Sequence, residues 1–120
     1  MAKDLTNAYL IEVYSPMLTE NQRTMLEMYY FEDLSLAEIA ENCGISRQGV
    51  RDSIKRGEMA MQELEDRLGF AKRQIKIERA VNLIRERTRD IVLMNNKYSY
   101  INEIEVSAGD ILSALDTLED

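Results

Sequence analysis

The chain has no histidine and no tryptophan, and only one cysteine, one proline and five glycines in 120 residues. Without histidine, the commonest general base and metal ligand near neutral pH is missing. No glycine-rich phosphate loop, GxSxG elbow or cysteine cluster is present. The acidic residues are spread along helix faces, and no pair stands out as catalytic. The sequence therefore reads as a non-enzyme with no cofactor and no metal. Cys43 alone cannot form an intramolecular disulfide, which points to a reducing compartment. No run approaches the ~20 apolar residues of a membrane span. The opening MAKDLTNAYLIEV lacks the basic end and unbroken apolar run of a secretory leader. The expected location is the cytoplasm, with no membrane insertion. Pro16 is the only proline, and periodicity is helical rather than alternating, so the expected fold class is all-α. A length of 120 residues at 45 % apolar content suits one domain, 1–120, with a single core.

The net charge of −7 argues against nucleic-acid binding if taken whole. Its distribution changes that reading. Residues 46–57 hold Arg47, Arg51, Lys55 and Arg56 against Asp52, and residues 72–89 hold seven cations against Glu78 and Glu86. Elsewhere acids dominate. A local cationic face binds phosphates even on an anionic protein, although the acidic remainder lowers non-specific affinity and raises salt sensitivity.

The first cationic block lies in LSLAEIAENCGISRQGVRDSIKRG, residues 34–57, which reads as helix, tight turn, helix. Ser35 and Glu38 fit a reciprocal helix-start cap. Ile39 and Ala40 give a short helix its apolar face, and Gly44 stands where the turn needs a positive φ. Ile45 is expected to point back into the core, and Ser46 to cap the next helix. The second helix would then present Ser46, Arg47, Gln48, Arg51, Lys55 and Arg56 to a DNA major groove. Arg47 has the fork to reach guanine and Gln48 the amide to reach adenine. Arg51 lies one turn further on, and Lys55 and Arg56 suit phosphates. For each of these, the bland reading is a solvated surface charge. Asp52 weakens the face.

Around this motif, residues 4–15 are expected to form a helix with Leu5, Tyr9 and Val13 on one side, ended by Pro16. Thr19 and Gln22 fit a second capping box that opens a helix to about Phe31. Tyr29, Tyr30 and Phe31 read as core packing rather than a base-stacking platform. From Ser46 a long helix carries a seam of Val50, Ile54, Gly57, Met61, Leu64 and Leu68 at spacings of 4 and 3. Gly57 on that seam predicts a closely crossing helix. Gly49 suggests an approach of the backbone to the motif's first helix, and Gly69 ends the long helix. A further helix over about 71–94 has a seam of Ile77, Val81, Ile84, Thr88 and Ile91. Its basic side reads as a solvated face, with phosphate contact as the alternative. Arg79, Arg85 and Arg89 can pair with Glu103, Glu105 and Asp116. Residues 95–106 are ambiguous, and Ser107 and Asp110 mark the expected start of a last helix. Cys43 has no basic or resolving neighbour in sequence to support a redox role.

Leu18-Thr19 with Gln22, Tyr29-Tyr30, the run Asp33 to Ala40 (DLSLAEIA), Ser46-Arg47-Gln48 with Val50, and Ile54-Lys55-Arg56 form one pattern. On these residues the chain from about Leu5 to Arg67 resembles the bacterial YlxM family, small helix-turn-helix proteins similar to region four of sigma factors and associated by gene neighbourhood with the signal recognition particle. Gly49 stands where alanine is expected, and Arg51 where an aromatic is usual. The resemblance implies a sigma-region-four-like helix-turn-helix core at 18–68, extended by C-terminal helices over 71–120. It also implies an accessory or regulatory role in the signal recognition particle pathway.

Two functions remain open from the sequence. One is a DNA-binding regulator. The other is an accessory factor that binds the particle's protein or RNA without reading DNA sequence. The long apolar seams at 50–68 and 77–91 further predict a homodimer through the C-terminal helices, which would place two recognition helices on paired half-sites.

Overall fold

The computed structural model describes residues 5–119, with Leu5 described by its backbone alone; Asp4 and the Leu5 side chain, both assigned to the first helix, lie outside the described residues. The elements are α1 (Leu5–Tyr14), a 3-10 turn (Ser15–Met17), α2 (Glu20–Tyr30), α3 (Leu36–Cys43), α4 (Arg47–Leu68), α5 (Phe70–Lys97) and α6 (Asn102–Asp116). No strand occurs among the described residues, and the fold is all-α. The chain divides into two compact units, one through Arg73 and one from Gln74 onward.

In the N-terminal unit, local chemistry fixes the helix boundaries. Gln22 N–H donates to Thr19 Oγ1 at 3.1 Å, and Thr19 N–H donates to Gln22 Oε1 at 3.3 Å. The same reciprocal box closes between Ser35 and Glu38 at 3.1 and 3.2 Å. Each box satisfies two otherwise orphaned donors and contributes about 1 kcal/mol. The helices then bury one face each: Leu10, Ile11 and Tyr14 from α1, Met25, Leu26 and Tyr29 from α2, Ile39 and Ala40 from α3, and Val50, Ile54 and Met61 from α4. Burying each large aliphatic side chain contributes roughly 1.5–3 kcal/mol before entropy is counted.

Gly57 is buried in this core, and α2 crosses it. A Cβ at Gly57 would lie 2.7 Å from Leu26 Cδ1. Tyr29 and Tyr30 pack edge to face, and Tyr30 Oη donates to Glu58 Oε1 at 2.9 Å. Phe31 is exposed, so the packing role read for that trio holds for the tyrosines and fails for Phe31. The α4 seam is buried from Val50 to Met61, half-buried at Leu64 and exposed at Leu68.

The α4–α5 junction rests on a carboxylate that the sequence did not single out. Gly69 ends α4 at φ 64°. Glu65, one turn earlier, accepts from the Ala71 and Lys72 N–H groups at 3.0 Å each, which caps α5. Tyr14 Oη donates to Glu65 at 2.5 Å and accepts from Phe70 N–H at 3.2 Å. Burial and the bond to Glu65 raise the Tyr14 phenol above its ordinary pKa. Burial pushes the Glu65 carboxyl up, but the bonds from Tyr14, Ala71 and Lys72 outweigh it and leave the pKa lowered.

The second unit is an antiparallel pair. Arg85 binds Asp116 at 2.6 Å and Glu119 at 2.8 Å, while near the turn the Asn95 side chain donates to Ile101 O at 3.0 Å and accepts from Ile101 N–H at 2.9 Å. This amide replaces the cap that α6 lacks, and α6 begins at Asn102, well before the expected start at Ser107 or Asp110. The seam also differs from the expected one. Thr88 and Asn95 are buried, and Val81, Arg85 and Val92 are half-buried, which is a 4-3-4-3 frame of its own. Ile77, Ile84 and Ile91 are exposed. The polar frame faces α6 because its polar groups have partners there or in their own backbone. Arg85 has its two carboxylates, Asn95 its turn, and Thr88 Oγ1 donates to Ile84 O at 2.6 Å.

Candidate nucleic-acid interface

The α3–turn–α4 segment has the geometry of a helix-turn-helix. Gly44 closes α3 in the left-handed region, φ 68° and ψ 32°, and Ile45 N–H reaches back to Ala40 O at 3.2 Å. These are Schellman-type bonds that only glycine permits without strain. Ser46 Oγ then accepts from Gly49 N–H at 3.0 Å and starts α4. Two details depart from the sequence reading. Ile45 is exposed rather than turned into the core. The Gly49 Cα faces Ser46 Oγ and the Ile45 side chain, where a Cβ would stand at 3.2 and 3.5 Å, not the backbone of α3. Glycine here therefore leaves room for the cap and for Ile45.

Because Val50, Ile54, Gly57 and Met61 are buried, α4 cannot rotate without exposing its seam. The opposite face is held outward. Gln48, Arg51, Lys55 and Arg56 are exposed on it, and Ser46 and Arg47 are exposed at the start of the helix. None of the four cations makes an ion pair with a described residue. The first turn of α4 holds no acid, so Arg47 adds to the positive end of the helix dipole. The face therefore combines fixed partial charge with four unneutralised side chains.

One anion interrupts it. Asp52 is exposed on the same face and accepts from Gln48 Nε2 at 2.9 Å. This i,i+4 bond occupies one amide N–H of Gln48 and leaves its carbonyl and second N–H outward. Gln48 is thereby oriented before any partner arrives. Beyond Arg56 the exposed face of α4 turns acidic at Glu63 and Asp66, so the cationic surface is confined to its N-terminal half. Cys43, beside the turn, is half-buried.

No helix among the described residues is long and apolar enough to cross a membrane. The family profile of YlxM/p13-like helix-turn-helix proteins, UPF0122, matches residues 1–101, ending one residue before α6. A UPF0122 protein of Thermoanaerobacter sp. (strain X514) is 41 % identical over 103 residues, which span 80 % of this chain and 88 % of that protein. One from Clostridium novyi is 36 % identical over 96 residues, 80 % and 84 % of the two chains. One from Symbiobacterium thermophilum is 54 % identical over 63 residues, 52 % and 59 %. The match runs from α1 through the whole helix-turn-helix, and the chain belongs to the UPF0122 family of YlxM/p13-like helix-turn-helix proteins.

Proposed function

We propose that this protein is a regulatory or accessory factor that binds DNA through the N-terminal half of α4. This reading is supported by the exposed cations Arg47, Arg51, Lys55 and Arg56, which make no ion pair with a described residue, on a helix whose rotation the core fixes. Arg47 and Gln48 reach base edges, with Ser46 beside them at the cap. Arg51 extends that surface one turn further along α4, and Lys55 and Arg56 hold the backbone and set register. In this reading the protein works as a homodimer in the cytoplasm and takes part in the signal recognition particle pathway, a role suggested by the YlxM resemblance.

A second reading is favoured by Asp52, which places a carboxylate among the cations. A surface of mixed charge also suits a protein, or a structured RNA held at a few phosphates. The alternative is therefore an accessory factor of the particle that does not read DNA sequence.

Selection from a randomised duplex pool, followed by mobility-shift titration at several salt concentrations, separates the two. Enrichment of one sequence class, lost several-fold in Arg47→Ala and Arg51→Ala, supports the DNA reading. Equal binding to every duplex, unchanged by Arg47→Ala, refutes base readout and leaves the second reading.

A further inference from the structure

The α5–α6 pair leaves one of its faces bare. On α5, Ile77, Ile84 and Ile91 recur every seven residues. On α6 and just past its end, so do Ile104, Ile111 and Leu118. All but Ile104 are between 39 and 62 % exposed, and Ile104 is half-buried. Each stripe keeps one rotational offset from the seam. Ile84 and Ile91 precede the seam residues Arg85 and Val92, while Ile111 precedes half-buried Leu112 and Ile104 precedes half-buried Glu105. In two antiparallel helices of the same hand, equal offsets fall on the same side of the pair. Ile77 and Leu118 accordingly line one cleft together with Val81. A two-helix layer with a continuous aliphatic face needs a second layer to bury it.

Charge indicates what that layer is. The part of α5 from residue 74 to 97 carries six cations and three anions, and α6 carries four anions and no cation. Like helices stacked on each other would oppose cation to cation and anion to anion. Unlike helices stacked on each other match. A hairpin with one cationic and one anionic helix is therefore complementary to its own copy turned about an axis parallel to the helices.

We propose that a second copy of this chain covers this face. The two hairpins pair about such a twofold axis, α5 of each copy against α6 of the other, and close a four-helix bundle with antiparallel neighbours throughout. This deepens the homodimer named above and is independent of whether α4 binds nucleic acid.

Light scattering on the full chain at micromolar concentration should give twice the 13.9 kDa chain mass. Ile84→Glu with Ile111→Glu should give the single mass, with helical circular dichroism unchanged because both side chains are solvent-facing in the lone chain. A wild-type monomer overturns the dimer and this interface together. A dimer that survives the double substitution overturns the interface alone. Pairing of unlike helices is read by oxidation in a Cys43→Ser background. A mixture of Ile84→Cys and Ile111→Cys chains should crosslink to the mixed dimer faster than either chain crosslinks to itself. Faster self-crosslinking of Ile84→Cys would show α5 against α5 and overturn the arrangement.

Discussion

At Gly57 the Leu26 side chain of α2 packs directly on the backbone of α4, and substituting the glycine tests the packing that aims the recognition helix. In a free helix, Gly→Ala is stabilising by about 1 kcal/mol. Here the new Cβ would stand 2.7 Å from Leu26 Cδ1 and 3.3 Å from its Cγ. Leu26 is fully buried, so its methyl group cannot swing into solvent. Overpacking of this kind costs about 1–3 kcal/mol, and it outweighs the propensity gain. Gly57→Ala should therefore lose up to about 2 kcal/mol net. Gly57→Leu forces three further carbons into the same crossing and should lose roughly 3 kcal/mol or more. Urea unfolding followed by circular dichroism reads this directly. With a slope of about 1 kcal/mol/M for a unit this small, the leucine variant should shift the midpoint by roughly 3 M, or leave the unit unfolded. A double-mutant cycle makes the cause specific. In a Leu26→Ala background the clash is absent, so adding Gly57→Ala should become neutral or stabilising. An unchanged midpoint for Gly57→Leu, or the same Gly57→Ala effect in both backgrounds, refutes the close crossing.

Other consequences are smaller. Ser46→Ala removes the acceptor for Gly49 N–H and should cost about 1 kcal/mol in denaturant, with weaker nucleic-acid binding as the first turn of α4 frays. Asp52→Ala removes the anion from the cationic face and releases Gln48; DNA affinity measured by anisotropy should rise several-fold, mostly without sequence preference. The Glu65 carboxyl titrates lower in the folded chain, so its contribution is present above its unfolded pKa and is lost as pH falls through the folded value. The Tyr14 phenol titrates higher, so its contribution is present below the unfolded value near 10 and is lost as pH rises through the folded one. Glu65→Gln should flatten the acid limb of the melting-temperature profile, and Tyr14→Phe the alkaline limb.

What could be read in advance was local. Ser35 with Glu38, Thr19 with Gln22, Ser46, Gly44 and Gly69 all act on backbone groups within four residues, so their spacing alone carries the information. The burial of Val50, Ile54, Gly57 and Met61 followed from period. The outward position of Gln48, Arg51, Lys55 and Arg56 followed in turn, because burying one side of a helix exposes the other; Arg47 stands in the seam's own 3-4 frame ahead of Val50 and is exposed because it lies in the first turn. Long-range choices were not legible. Helix α5 carries two overlapping 4-3 frames, and the more apolar one, with Ile77, Ile84 and Ile91, is not the one that faces α6. The choice is made by Arg85 and Asn95. The partners of Arg85 lie 31 and 34 positions away, and the partner of Asn95 lies across a turn. The Tyr14–Glu65 bond spans 51 positions and has no sequence signal beyond two ordinary polar residues. A hydrophobic residue after a turn glycine usually packs inward, whereas Ile45 is exposed and lies over Gly49. The Gln48–Asp52 bond, like Gln62–Asp66, is legible from spacing alone, since i,i+4 brings an amide and a carboxylate together on an exposed helix.

With the stretch of α4 from Ser46 to Arg56 as the binding surface, amide chemical shifts report the contact residue by residue. Titrating the isotopically labelled full chain with the best duplex from the selection should move the amides of residues 46–56 first and most, with the effect fading as salt rises. No shift at saturating duplex, or shifts confined to the basic side of α5, would contradict it.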